Sequence, residues 1–155
     1  MIILKESIKT WTMENKTEKF KIILEYIKDL SIETPNVVAL AFVKKNITNY
    51  SMDIDISSTV LKNKALEITT KLTLQDKTDN NEKSFFEIKY ATVITVDNSI
   101  TDKNLIGRIV LCDLQKIIYP KIENIFLNII KHAGYPEIKF EKKVDFEKLY
   151  NDKFN

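Results

Sequence analysis

The chain has 155 residues, 44% hydrophobic and 30% charged, with a formal net charge of +2. That length fits one domain with an ordinary core, and so small a charge, interleaved in sign, gives no reason to expect a polyanionic partner. The single cysteine, Cys112, excludes an intrachain disulfide, and with the single histidine, His132, it is too little for a His/Cys zinc site.

The N-terminal run Met1-Ile2-Ile3-Leu4 is cut by Lys5 and Glu6, far short of a signal-peptide core. No later stretch approaches the roughly 20 apolar residues of a membrane span. The expectation is a cytoplasmic chain without direct membrane insertion.

From Phe20 the sequence alternates, with Phe20, Ile22, Leu24, Tyr26, Leu30 and Ile32 on even positions and Lys21, Glu25, Asp29, Ser31 and Glu33 on odd ones. Period two predicts a strand with one buried face. Pro35-Asn36 ends it, and the less patterned stretch through Phe42, Lys44, Lys45 and Asn49 reads as a long connection. Alternation resumes at Met52/Ile54/Ile56 and again at Leu66/Ile68/Leu72/Leu74. The turn formers of Asp76 to Glu82 then reverse the chain into a fourth strand, Ser84 to Val96, whose apolar set is Phe86, Ile88, Tyr90, Ile94 and Val96. Consecutive strands without intervening helices predict a four-stranded antiparallel meander.

After Asp97-Asn98 the period becomes helical, first at Leu105, Ile109 and Cys112, then at Ile122, Ile125, Phe126, Ile129 and Ile130. Pro120 predicts either two helices or one kinked there, and Gly134 suits the C-terminal cap. A short last helix carries Phe146, Leu149, Tyr150 and Phe154 on one stripe, with Asp145 placed to cap it. The fold class is α+β, a sheet followed by a long helix and a short one. Residues 18–155 are expected to form the domain, and 1–17 to be poorly ordered, with Met13 as an alternative initiator.

At this point the residues resemble the SecB export chaperones. The stretch Phe20 to Asn36, FKIILEYIKDLSIETPN, resembles the family's opening strand, ending in a Lys-Asp-aliphatic-Ser pattern before Pro-Asn. Ile117-Ile118-Tyr119-Pro120 is similar to the family's step into its main helix. Gly134-Tyr135-Pro136, followed by Val144-Asp145-Phe146-Glu147-Lys148-Leu149-Tyr150, resembles its ending. The matches occur in family order from about Phe20 onward. Departures are Ala91-Thr92 in place of a Gly pair, Gln115-Lys116 in place of Pro-Asn, and Lys143 in place of Pro. They predict a straighter fourth strand and a more regular helix before Pro120.

The resemblance implies a homotetramer, a dimer of dimers with outer sheets and helices at the interface, and no cofactor. Its partners would be unfolded precursor proteins and the SecA export ATPase, with no nucleic acid. SecA binding would fall to Asp29, Glu33, Phe85 and Glu87, all odd-numbered and so on the outer face, although charges there also suit a plain solvated face. Clients would lie in a groove where Phe42 and Tyr50 face Ile122, Ile125, Phe126 and Ile129, while Phe42 and Tyr50 each read equally well as core anchors.

Independently of the resemblance, no Gly-rich nucleotide loop and no Ser/His/Asp or Cys/His grouping is visible, so an enzyme is not expected. His132 falls in a last helical turn, where positive charge favours the helix dipole. One rival reading is a SecB-like chaperone dedicated to a toxin-antitoxin pair. Another, a nucleic-acid-binding sheet, would need a basic aromatic stripe where the odd face of the first strand gathers Glu25, Asp29 and Glu33.

Overall fold

Four alternating segments form β1 (Phe20–Glu33), β2 (Tyr50–Val60), β3 (Leu66–Asp76) and β4 (Phe85–Val96), paired antiparallel in the spatial order β1-β4-β3-β2. They belong to a computed structural model that describes residues 19–76 and 83–154. The expected boundary at residue 17 and the Met13 start lie outside the described residues.

The antiparallel sheet is as predicted, but the meander holds only for β2, β3 and β4, since β1 pairs with β4 instead of β2. The reason lies in the connection. Val37–Asn46 is a helix, α1, instead of the long irregular connection the sequence suggested, and the 3-10 turn Ile47–Asn49 follows it. A segment of this length frees β2 from hairpin pairing with β1, so the chain passes from one edge of the sheet to the other. Asn36 starts α1 by accepting a hydrogen bond from the Ala39 amide at 2.9 Å, and Lys44 and Lys45 occupy its last turn.

Helix α2 (Lys103–Arg108) runs through a π turn, Ile109–Asp113, into α3 (Leu114–His132). The helical segment before Pro120 thus carries a π turn, while α3 continues through Pro120 as one helix. Buried Gln115, next to the π turn, exchanges hydrogen bonds with buried Thr70 of β3 and donates to the Val110 carbonyl within the turn at 3.4 Å. The polar pair thus ties the widened turn to the middle of the sheet.

The core follows from matching periods. On α3, Leu114, Ile118, Ile122, Phe126 and Ile130 recur every fourth residue and are fully buried with Ile68, Leu72 and Leu74 of β3 and Phe86, Ile88 and Ile94 of β4. Gly134, at φ +110°, closes α3 with the amides of Gly134 and Tyr135 returning to the carbonyls of Lys131 and Ile130. Helix α4 (Phe146–Phe154) starts where expected, with Asp145 accepting from the Lys148 amide at 3.0 Å.

Candidate functional site

The face of the sheet turned away from α3 brings together the four residues assigned to partner docking. Glu33 lies opposite Phe85, Ser31 opposite Glu87 and Asp29 opposite Lys89 in the β1–β4 register, and cross-strand partners share a face. Asp29 and Glu33 are exposed, and Phe85, at 41% exposure, is a large ring on a polar surface. Glu87 is more sheltered and faces Lys89 at 3.9 Å. The same rows continue across the sheet to β2, where Thr73 lies opposite Asp53 and Lys71 opposite Asp55.

The first strand is less regular than its alternation suggested. Register shifts between Ile22 and Leu24 and between Ile27 and Asp29 leave Ile23 and Lys28 as extra residues, and the parity of the segment between them is inverted. Leu24 and Tyr26, predicted for the core, stand on the outer face opposite Val93 and Ala91, and Glu25, predicted for the outer face, stands opposite Thr92 on the helix side. There Glu25 binds Lys121 of α3 at 2.6 Å. On the outer side Glu67 accepts from the Tyr26 hydroxyl at 2.7 Å and from the Lys28 ammonium at 2.5 Å. Those bonds, from Lys28 first and Tyr26 second, hold the Glu67 carboxyl below its ordinary value.

The proposed groove residues are not brought together on one open surface. Ile122 and Phe126 are sealed in the core and Tyr50 is buried, whereas Phe42, Ile125 and Ile129 are half-buried at the periphery. The open apolar channel lies beside the free edge of β2, where two adjoining cavities of about 360 and 210 Å³ share Ile56, Leu111 and Lys153. Ile106 and Val110 wall the larger one, and Ile54, Phe146, Leu149 and Tyr150 the smaller. Sequence reasoning missed it because its walls come from β2, α2, the π turn and α4, segments far apart in the chain that only the fold brings together.

Helix α4, which forms one wall, is anchored from several sides. Glu147 receives Lys116 at 2.8 Å and Arg108 at 3.1 Å, and Phe146 packs edge-on to Tyr119 at 5.2 Å. The Lys116 hydrogen bond, followed by the charges of Lys116 and Arg108, holds the Glu147 carboxyl below its ordinary value. His132 sits exposed in the last turn of α3. Among the described residues, no helix is long and apolar enough to cross a membrane, and no His, Cys, Asp and Glu side chains group to hold a metal ion.

The channel beside β2, the charged outer sheet face and the exposed edge strands are the open surfaces of an α+β fold. Residues 13–155 match the family model described as preprotein translocase subunit SecB. The chain is 44% identical over 139 residues to the putative protein-export protein SecB of Pelagibacter ubique, covering 90% of this chain and 99% of that protein. It is 24% identical over 137 residues to the protein-export protein SecB of Sphingopyxis alaskensis, covering 88% and 77%. This chain belongs to the SecB family, a family of chaperones and not of enzymes. Its fold is similar to that of a Mycobacterium tuberculosis SecB-like chaperone solved in complex with a ChAD peptide from an antitoxin, with TM-score 0.61, 9% identity and coverage of 84% and 92%.

Proposed function

We propose that the chain is an export chaperone that holds unfolded precursor proteins in the cytosol and delivers them to the SecA export ATPase. The observation that carries the reading is the channel beside β2, where two adjoining cavities share Ile56, Leu111 and Lys153 and present apolar walls with a polar rim of Asp55, Ser57, Ser58 and Lys103. Apolar burial is non-directional, so such a trough accepts many extended sequences where a set of placed hydrogen bonds would accept few. Burying a few hundred square ångströms of client at ~25 cal/mol per Å² supports micromolar holding after ordering costs.

Delivery is assigned to the outer sheet face, where Glu33 lies opposite Phe85, Glu87 two residues along β4 and Asp29 further along β1 opposite Lys89, a face that suits a basic partner carrying an apolar contact. A homotetramer, a dimer of dimers, is supported by apolar surface left open on one protomer, with Ile23, Leu24, Ile27 and Leu30 exposed along the edge strand β1 and Ile117 exposed on α3. The test is suppression of aggregation of an unfolded precursor without nucleotide, together with a native mass near four times 18.1 kDa. A nucleotide requirement, or a strict monomer that suppresses nothing, would end the reading. Pull-down with the export ATPase separates export from service to a single toxin-antitoxin pair.

A further inference from the structure

The two cavities beside β2 differ in what lines them. The larger, about 360 Å³, gathers the polar groups, with the Lys103 and Lys153 ammonium groups and the hydroxyls of Ser57 and Ser58 around a floor of Ile106 and Val110. The smaller, about 210 Å³, is walled by Ile54, Phe146, Leu149 and Tyr150, and its one carboxylate, Asp55, is exposed and faces Lys71 at 3.8 Å. Ser58 interrupts the inner row of β2, where Ile54 and Ile56 precede it at alternate positions, so the change from apolar to polar wall runs along one strand.

Among the described residues, neither Lys103 nor Lys153 has a carboxylate partner, whereas Glu147 is already taken up by Lys116 and Arg108. The polar end of the channel therefore carries two positive charges without an ion pair, and Lys153, which lines both cavities, stands at their join. Gly107 leaves further room, since nothing lies within 4 Å of where a Cβ on it would stand. Volumes of a few hundred cubic ångströms, with apolar walls and a few convergent polar groups, are the features of a small-molecule site.

We propose that the channel is also a site for a single-chain anionic amphiphile, a fatty-acid carboxylate, with its head held by Lys103 and Lys153 and its alkyl chain running past Ile56 and Leu111 into the smaller cavity. A carboxylate accepts charge-assisted hydrogen bonds from ammonium groups, and the alkyl chain buries apolar surface that demands no direction. A chain lying over Leu111 and Leu149 also excludes an unfolded client from the same walls, so fatty acid and client compete. That last step rests on the chaperone reading, whereas the amphiphile site does not.

Titration calorimetry of the full chain with decanoate, below its micelle concentration, should show saturable binding. Decyltrimethylammonium, of similar chain and opposite charge, should bind at least ~10-fold more weakly. Lys103→Gln with Lys153→Gln should remove that preference and leave the melting temperature unchanged, because both side chains are exposed. Gly107→Leu fills the larger cavity from a helical position that gains by losing a glycine, and should abolish decanoate binding in a chain that still folds. Equal binding of the two amphiphiles by the wild-type chain, or no saturable binding of decanoate, would overturn the carboxylate site. Undiminished decanoate binding in a folded Gly107→Leu variant would overturn its place in the channel. Saturating decanoate that fails to displace a reduced, carboxymethylated model protein held by the chain would overturn the competition. If the wild-type chain holds no unfolded client at all, the chaperone reading falls, while the calorimetry still decides the amphiphile site.

Discussion

Glu25 and Lys121 meet at 2.6 Å between β1 and α3, although Glu25 stands at an odd position of β1, where Lys21, Asp29, Ser31 and Glu33 face outward. The bulge at Ile23 turns Glu25 inward, and the Lys121 ammonium also lies 6.0 Å from the Tyr90 ring centroid. Burial works to lower the Lys121 pKa, yet the Glu25 carboxylate, with Tyr90 assisting, outweighs it and leaves the ammonium above its ordinary 10.5.

Glu25→Gln is therefore expected to cost about 0.5 kcal/mol at pH 7, the worth of a half-exposed pair after solvent screening. Because the folded-state pKa is raised, the contribution of Lys121 is full below 10.5 and fades as pH climbs through the folded value. Urea midpoints of wild type and variant should converge at strongly alkaline pH. A gap that stays constant across the pH range would mean that the ion pair contributes nothing.

Much of the sheet was legible because one buried face writes its period directly into β2, β3 and β4. The bulges of β1 left a signal too, since Ile22-Ile23-Leu24 and Tyr26-Ile27 place apolar residues on both parities, which a straight one-faced strand does not do. Helix α1 escaped because Val37 to Val43 is apolar throughout and therefore has no period, although Asn36 before it and Lys44-Lys45 at its end are a cap and a dipole match. Strand order could not be read from residues at all, for it depends on how far the β1 to β2 connection travels. The second shift restores the parity that the first inverted, returning Asp29 and Glu33 to the side of Phe85 and Glu87, as their odd numbering predicts. The groove did not survive, since burial of Ile122 and Phe126 is a property of packing, not of spacing.

The Thr70 and Gln115 pair is expected to be strongly coupled. Both side chains are fully buried, with the Gln115 amide 3.0 Å from the Thr70 hydroxyl. Gln115→Leu strands that hydroxyl in an apolar layer at a cost of about 1–3 kcal/mol, whereas removing both partners as Thr70→Val with Gln115→Leu should recover most of the loss. Chemical denaturation of the two singles and the double reads the coupling directly. Simple additivity would show that the two groups act separately.

Helix α4 should loosen in acid. The Glu147 carboxyl is held below its ordinary 4.5 by Lys116 first and Arg108 second, so its contribution is present above that value and lost as pH falls through the folded-state pKa. Amide exchange in residues 149–153 should rise below pH 4.5 before the sheet is affected. Glu147→Gln should show the fast exchange already at pH 7. If the variant protects α4 as well as wild type does, the Glu147 pairs contribute nothing and the remaining contacts, Tyr119 with Phe146 and Tyr150 with Asn104 among them, hold the helix.

Docking of SecA is predicted to be electrostatic and separable from folding. Asp29 and Glu33 are exposed strand residues, so replacing both with Lys should leave the melting temperature close to wild type. Binding should weaken at least ~10-fold at low salt, and wild-type binding should itself decline between ~0.05 and 0.5 M salt as the interface is screened. Titration calorimetry at both ionic strengths distinguishes a docking face from a merely solvated one, which would give equal affinities for wild type and variant.

Client holding should depend on apolar contact along the β2 channel and differ from SecA docking in its indifference to salt. Leu149 is exposed and Leu111 half-buried, and both line the smaller cavity without belonging to the fully buried core. Replacing both with Ser should raise the dissociation constant for an unfolded precursor ~10-fold, equivalent to ~1.4 kcal/mol, while the fold melts near its wild-type temperature. Phe126→Ala makes the opposite case, because that ring is fully buried between α3 and the sheet, and its truncation should cost about 3–5 kcal/mol of stability. Any loss of holding in Phe126→Ala should then track the unfolded fraction and disappear on cooling to where the variant is folded. If the Leu111 and Leu149 double variant holds clients as well as wild type does, the channel is not the resting site. Binding would then have to reside elsewhere on the chain.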